Sequence, residues 1–220
     1  MIQALIFDFD GLILDTETPE FHVWQSIYRQ YGQDIPIEQW GQIIGGYGLS
    51  HFDAAIHLQE LVGHVLDLEM LRQRHRQESD LLTVQQSILP GVTGLLDEAD
   101  RLNLKLAIAS SSPHSWVDSH LTRLGLLHRF DKVICADDVA PGRTKPNPDL
   151  FLLALDQVRV RKEAAVVFED SPNGVKAART AGIFVVAVPN PMTSLLAFEG
   201  ENLRLTSLSD LPLADLLSRF

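Results

Sequence analysis

Four carboxylates, one hydroxyl and one ammonium stand out in this chain by type and position: Asp8, Asp10, Glu169, Asp170, Ser110 and Lys145. The apolar run Ala4-Leu5-Ile6-Phe7 leads into Asp8-Phe9-Asp10-Gly11, Leu104 to Ala109 leads into Ser110, and Ala164 to Phe168 leads into Glu169-Asp170-Ser171. Lys145 comes from the loop after Cys135. Short apolar runs that end in polar residues read as buried strands. Polar clusters at the C-terminal ends of such strands mark the edge where an open α/β sheet binds its ligand. Taken alone, Asp8, Asp10 and Gly11 also fit a solvated acidic turn. Recurrence at successive strand ends is what points to a site.

Electrostatics limits what that site can hold. Like charges about 4 Å apart repel by roughly 4 kcal/mol at an effective dielectric near 20, so clustered carboxylates do not all stay ionised unaided. A divalent cation removes the conflict. An all-oxygen ligand set without His or Cys suits Mg²⁺ better than Zn²⁺. A bound metal, Lys145 and the Ser110 hydroxyl would together hold a phosphate dianion that bare carboxylates expel. Phosphoryl chemistry is the expectation.

The elements that must position these groups are legible in the periodicity. After Asp15 the pattern turns helical, with Phe21, Trp24, Ile27, Tyr28 and Tyr31 spaced for one buried face and breaks at Gly32 to Pro36 and at Gly45-Gly46-Tyr47-Gly48. Further helical stretches run from about Ser50 to Val62 and from Leu66 to Leu82, which predicts a bundle of about four helices. From Pro90 onward strands and helices alternate: helix Val92–Asn103, strand Leu104–Ala109, helix Pro113–Leu124, strand Lys132–Ala136, helix Asp149–Gln157. Strand Ala164–Phe168, helix Asn173–Thr180 and strand Ile183–Val188 follow, with an edge strand at Leu203–Leu205 and a closing helix at Asp210–Arg219. The pattern predicts an α/β fold, a Rossmann-like parallel sheet with right-handed crossovers and an inserted helical bundle. The domain division expected is residues 1–15 and 85–220 as the core and 16–84 as the insert, with hinges near Leu14 to Glu17 and Leu82 to Pro90.

Composition narrows the class of partner. The 220 residues carry 18 basic against 29 acidic side chains, a net charge of −11 that disfavours nucleic acid and anionic lipid. The lone cysteine, Cys135, excludes an internal disulfide and sits in an apolar run, so it reads as core and fits a reducing compartment. No stretch has the apolar length of a membrane span, and acidic residues stand where a signal peptide has none. A cytoplasmic monomer acting on a small molecule is expected.

The motifs D-F-D-G-L-I-L-D-T, Ser110 after an apolar strand, Lys145 in K-P-N-P-D-L-F, and F-E-D-S-P-N-G-V-K-A-A resemble, in order and spacing, the four motifs of the haloacid dehalogenase superfamily. The insert from about Thr16 to Val84 resembles the small cap of that superfamily's phosphatase and β-phosphoglucomutase branch. The resemblance implies that Asp8 attacks phosphorus to form an aspartyl-phosphate, while Asp10 protonates the leaving oxygen and then deprotonates water. It implies that Ser110 and Lys145 hold the phosphoryl oxygens. Mg²⁺ would bind the Asp8 and Asp170 carboxylates and the main-chain carbonyl of Asp10, with Glu169 assisting through water. Dehalogenases of the superfamily lack an acid two residues after the nucleophile, so Asp10 favours phosphoryl transfer.

Hydrolase is favoured over mutase. Members resembling β-phosphoglucomutase carry a His about where Glu20 stands and an Arg near Gly48-Leu49, both missing here. His22, two residues on, would be turned about 200° around a helix axis. A phosphatase for a small phosphorylated metabolite, a sugar phosphate, is the leading reading; a phosphomutase and a catalytically idle binding module are the alternatives. Gly46, in the glycine-rich loop of the insert, is the expected substrate contact there. Ser112-Pro113-His114 lacks the G-x-S-x-G elbow of a serine hydrolase, and the histidines of the insert form no zinc pattern. The run Arg72-Gln73-Arg74-His75-Arg76 reads as a solvated helix face.

Overall fold

The structure is a computed structural model that describes residues 1–40 and 52–220. In chain order its main elements are β1 (Ala4–Phe7), α1 (Glu17–Gln30), α2 (Ile37–Trp40), α3 (Ala54–Val62), α4 (Leu68–Thr83), α5 (Val92–Arg101), β2 (Lys105–Ala109) and α6 (His114–Arg123). Then come β3 (Lys132–Ile134), α7 (Asp149–Val158), β4 (Ala165–Glu169), α8 (Pro172–Ala181), β5 (Phe184–Ala187), β6 (Leu203–Arg204) and α9 (Leu213–Leu217). The predicted elements are all present. The last helix is shorter than the expected Asp210–Arg219, because the Asp210 carboxylate is engaged by the Thr206 and Ser207 amides, tying a turn ahead of Pro212.

The six strands form one parallel sheet in the order β3-β2-β1-β4-β5-β6. Each apolar run is buried on both sides, and alternate residues serve different layers. Leu5, Phe7, Leu106, Ile108, Val166 and Phe168 pack into the cluster that includes α5, α6 and α9. Ala4, Ile6, Ala107, Ala109, Ala165 and Val167 face the layer of α7 and α8. The alanines on that second face let those helices lie close to the sheet.

Register sets the site. Phe7 is level with Ile108 of β2 and Phe168 of β4, so the three central strands end together. Asp8, Ser110 and Glu169 are therefore delivered to one edge. The turn beyond β1 closes with Gly11 N–H donating to the Leu14 carbonyl at 2.7 Å. Gly11 has φ +77, and a Cβ there would lie 2.3 Å from Asp170 Oδ2. Only glycine satisfies both conditions.

The helical segment α1–α4 has its own hydrophobic cluster, built around Phe21, Trp24, Ile27, Tyr28, Trp40 and Leu58. Asp53 caps α3 by accepting from Ala55 N and Ile56 N, and Asp67 caps α4 through Met70 N. Leu14 and Ile88, at the two ends of this segment, pair as an antiparallel bridge, and Leu89 N–H donates to the Ile13 carbonyl at 2.9 Å. Among the described residues no helix is long and apolar enough to cross a membrane.

Candidate active site

The level strand ends bring Asp8, Lys145 and Glu169 into contact. Lys145 Nζ donates to Asp8 Oδ1 and lies 2.6 Å from Glu169 Oε1, all three side chains being buried. Burial pushes the Asp8 carboxyl up to about 8, with Lys145 opposing and Glu169 and Asp10 adding to the rise. Burial also works against the Lys145 charge, but Asp8 and Glu169 overcome it and hold the ammonium protonated.

Asp10 has a different environment. Its Oδ2 accepts from Ser112 Oγ at 2.7 Å and Ser110 Oγ at 3.2 Å, while its Oδ1 accepts from the Trp116 indole Nε1 at 2.8 Å. Two neighbouring carboxylates thus differ in kind. Asp8 is buried against a cation, whereas Asp10 is half-buried and held by three neutral donors. His114 takes no part: its ring is engaged by Asp118 at 3.0 Å and Asp138 at 2.8 Å, away from Ser110. Cys135 is fully buried and burial drives its thiol pKa upward, which fits core rather than nucleophile.

One oxygen each from Asp8, Glu169 and Asp170 lies within 4.8 Å of the others, the group of metal-ligand spacing among the described residues. Burial raises Asp170 well above the usual carboxylate range, with Asp8 and Glu169 adding to it. Such a trio ionises fully only if positive charge beyond Lys145 joins it, and an all-oxygen donor set suits a hard divalent cation. The residues fit Mg²⁺ on that ground. The Asp10 carboxylate is turned toward the serines and Trp116 and stands apart from that trio. Asp170 is oriented by Asn190, whose Nδ2 donates to Asp170 Oδ2 at 2.8 Å and to the Gly11 carbonyl at 3.3 Å. Glu169 Oε2 accepts from Ser171 N and Oγ, both at 3.1 Å, and lies against Gly174 of α8, where a Cβ would fall 1.8 Å from its carboxylate.

A cavity of about 620 Å³ opens over these groups and is walled on its far side by the helical segment. Glu17, Glu20, Trp24 and Trp40 reach it from α1 and α2, and Arg72, His75, Arg76 and Asp80 from α4. The basic run is therefore only partly a solvated face. Residues 72, 75, 76 and 79 share one side of the helix, and that side looks into the cavity. His75 stacks on Trp24 with ring centroids 4.7 Å apart, and burial lowers its pKa to about 4. Burial raises Glu17 well above the usual range and Glu20 to about 7, helped in both by the charge on Asp10.

The predicted residues Asp8, Asp10, Ser110, Lys145, Glu169 and Asp170 converge here; Gly46 lies outside the described residues. Sequence reasoning missed Ser112, Trp116 and Asn190. Asn190 follows β5 by three residues, so the strand-end rule that found Glu169 reaches it as well. Trp116 sits one helical turn beyond Ser112, on the element that the Ser110 strand feeds.

The family model described as "Haloacid dehalogenase-like hydrolase" matches residues 5–188. "Putative phosphatase YhcW" of Bacillus subtilis (strain 168) is 43% identical over 99% of this chain and 97% of its own. "Phosphorylated carbohydrates phosphatase" of Thermotoga maritima is 33% identical over 83% of this chain and 82% of its own. Among solved structures, CbbY from Rhodobacter sphaeroides in complex with phosphate superposes with a TM-score of 0.74 at 26% identity, covering 98% of this chain and 99% of that one. A match that runs through every strand end contributing to the cavity, over almost the whole chain, makes this protein a member of the haloacid dehalogenase-like hydrolase family.

Proposed function

We propose that this enzyme is a Mg²⁺-dependent phosphatase that hydrolyses a small phosphorylated metabolite, a sugar phosphate, through an aspartyl-phosphate on Asp8. The observation that carries the reading is the unlike pair at the end of β1: Asp8 buried on Lys145, and Asp10 beside it, held by the hydroxyls of Ser110 and Ser112 and the indole of Trp116. Two carboxylates in such different surroundings suit two roles. Relatives named as phosphatases, one of them for phosphorylated carbohydrates, support the substrate class.

Asp8, whose anionic form Lys145 and a bound cation together would favour, attacks phosphorus; the new bond to its carboxylate oxygen forms as the bond to the leaving oxygen breaks. Asp10 gives its proton to that leaving oxygen, then takes one from the water that attacks the phosphorylated Asp8 and frees inorganic phosphate. The proton belongs on Oδ2. A hydroxyl can turn and accept, so Ser110 and Ser112 tolerate a protonated Oδ2, whereas the Trp116 N–H only donates and needs a bare lone pair on Oδ1. Ser110 and Lys145 hold the phosphoryl oxygens. The carboxylates of Asp8 and Asp170, the carbonyl of Asp10 and, through water, Glu169 would hold Mg²⁺, which would supply positive charge against those oxygens. Residues 16–84 act as a cap over a core of 1–15 and 85–220, a division supported by the separate hydrophobic cluster of the helical segment. Gly46 is proposed as a substrate contact from that cap.

Phosphate release across a panel of phosphorylated sugars, with Mg²⁺ and with chelator, tests the reading in the wild type, Asp8→Asn and Asp10→Asn. Metal-dependent release lost in both variants is expected. Isomerisation of glucose 1-phosphate to glucose 6-phosphate without net release would make the enzyme a mutase instead.

A further inference from the structure

The cavity is not electrically symmetrical. On the sheet side Lys145 can meet a phosphoryl group, but the side that receives the rest of the substrate carries Glu17, Glu20 and Asp80. None of these three is ion-paired among the described residues. The two guanidinium groups on the same wall are already engaged. Arg72 forks onto Asp53 through Nε at 3.2 Å and Nη2 at 2.7 Å, and that same Asp53 caps α3. Arg76 pairs with Glu69 at 2.9 Å. His75 is held neutral by burial, with the charge of Arg76 adding, and its ring stacks on Trp24. Residues 41–51 contain no Lys or Arg.

A second observation comes from the apolar part of the wall. Trp40 lines the cavity, is 1% exposed, and its indole Nε1 has no hydrogen-bond partner among the described residues. A buried N–H left unpaired costs free energy that an acceptor on a ligand would recover. Carboxylates accept hydrogen bonds from hydroxyl and ammonium groups and repel anions.

We propose that this wall selects a polyol or sugar monophosphate whose leaving group carries hydroxyl or amino groups and no second anion. The selection rests on the phosphatase reading above. Glu17, Glu20 and Asp80 hydrogen-bond the hydroxyls, Trp40 Nε1 donates to one, and a second phosphate or carboxylate meets carboxyl groups and cations that are already paired among the described residues.

Four six-carbon probes separate the possibilities: glucose 6-phosphate, glucosamine 6-phosphate, 6-phosphogluconate and fructose 1,6-bisphosphate, each assayed for phosphate release with Mg²⁺ at pH 8, where Glu20 is ionised. The expected order places glucosamine 6-phosphate at or above glucose 6-phosphate, and both about tenfold or more above the two probes with a second anion, chiefly through KM. In Glu20→Gln, and separately in Asp80→Asn, the ratio of kcat/KM for 6-phosphogluconate to that for glucose 6-phosphate should rise by about fivefold. Equal use of all four probes, or a ratio unmoved in both variants, overturns the selection and leaves the phosphatase reading standing. Release from none of the four overturns the sugar phosphatase reading, and the selection falls with it.

Discussion

Alanine at Gly174 tests whether the α8 N-terminus is built to receive the Glu169 carboxylate. A Cβ at residue 174 would lie 1.8 Å from Glu169 Cδ and Oε1, where ordinary contact needs about twice that. Glu169 must then move, and it gives up its bonds from Ser171 N and Oγ at 3.1 Å and its 2.6 Å contact with Lys145. Hydrogen bonds to a buried charge contribute about 1.5–3 kcal/mol each, while alanine returns at most about 1 kcal/mol of helix propensity. The net loss is at least about 3.5 kcal/mol, or a fall in Tm of about 10 °C or more for a chain of this size. Gly94 supplies the control: it lies within α5, and a Cβ there would meet nothing within 4 Å, so Gly94→Ala should gain up to about 1 kcal/mol. Urea unfolding of the two variants compares the same chemical change in two surroundings. The Mg²⁺ concentration for half-maximal phosphate release should also rise about tenfold or more in Gly174→Ala, because Glu169 is proposed to support the ion. A Gly174→Ala variant as stable as Gly94→Ala, with unchanged Mg²⁺ dependence, would refute the reasoning.

Other consequences are as direct. Glu20 has its pKa raised from 4.5 to about 7 by burial, with Asp10 and Asp80 adding, so the folded state resists its ionisation and stability falls as pH climbs from about 4.5 through 7. Glu20→Gln should therefore gain up to about 3 kcal/mol at pH 8 and about 1 kcal/mol or less at pH 5 in the presence of chelator, the solvent-facing part of the side chain reducing both figures. Equal gains in urea unfolding at the two pH values would show that its charge is not what costs stability. Trp116→Phe removes the donor that fixes Oδ1 of Asp10, so kcat should drop about tenfold with KM little changed, and the pH profile of kcat/KM should shift. An unaltered profile would mean that the serines alone orient Asp10.

Much of this architecture was legible because the core strands are written as plain apolar runs. Ala4 to Phe7 and Ala164 to Phe168 admit little but buried strand, and the residues that follow them are carboxylates with nowhere to go but the sheet edge. The metal-spaced trio follows from that register. Strand-end position reaches Asn190, but what it pairs with there is set by distant parts of the chain. Asn190 meets Asp170 and Gly11 across gaps of 20 and 179 residues, and no local pattern encodes that meeting. Trp116 reads as an ordinary amphipathic helix residue until α6 is docked beside the first strand. Arg72, His75 and Arg76 misled for another reason: a polar helix face looks the same whether it borders bulk solvent or a cavity between two parts of the chain.

The bridge between Leu14 and Ile88 has a consequence for the history such a chain can have. The helical segment leaves and re-enters at points one hydrogen-bonded pair apart, and none of the six strands or their registers is threaded through it. It is a plug-in module. Its helices can lengthen, shrink or be exchanged without rerouting a single crossover, while the residues around Asp8 stay where β1, β2 and β4 put them. Substrate range can thus drift on one wall of the cavity under a reaction centre that is inherited intact.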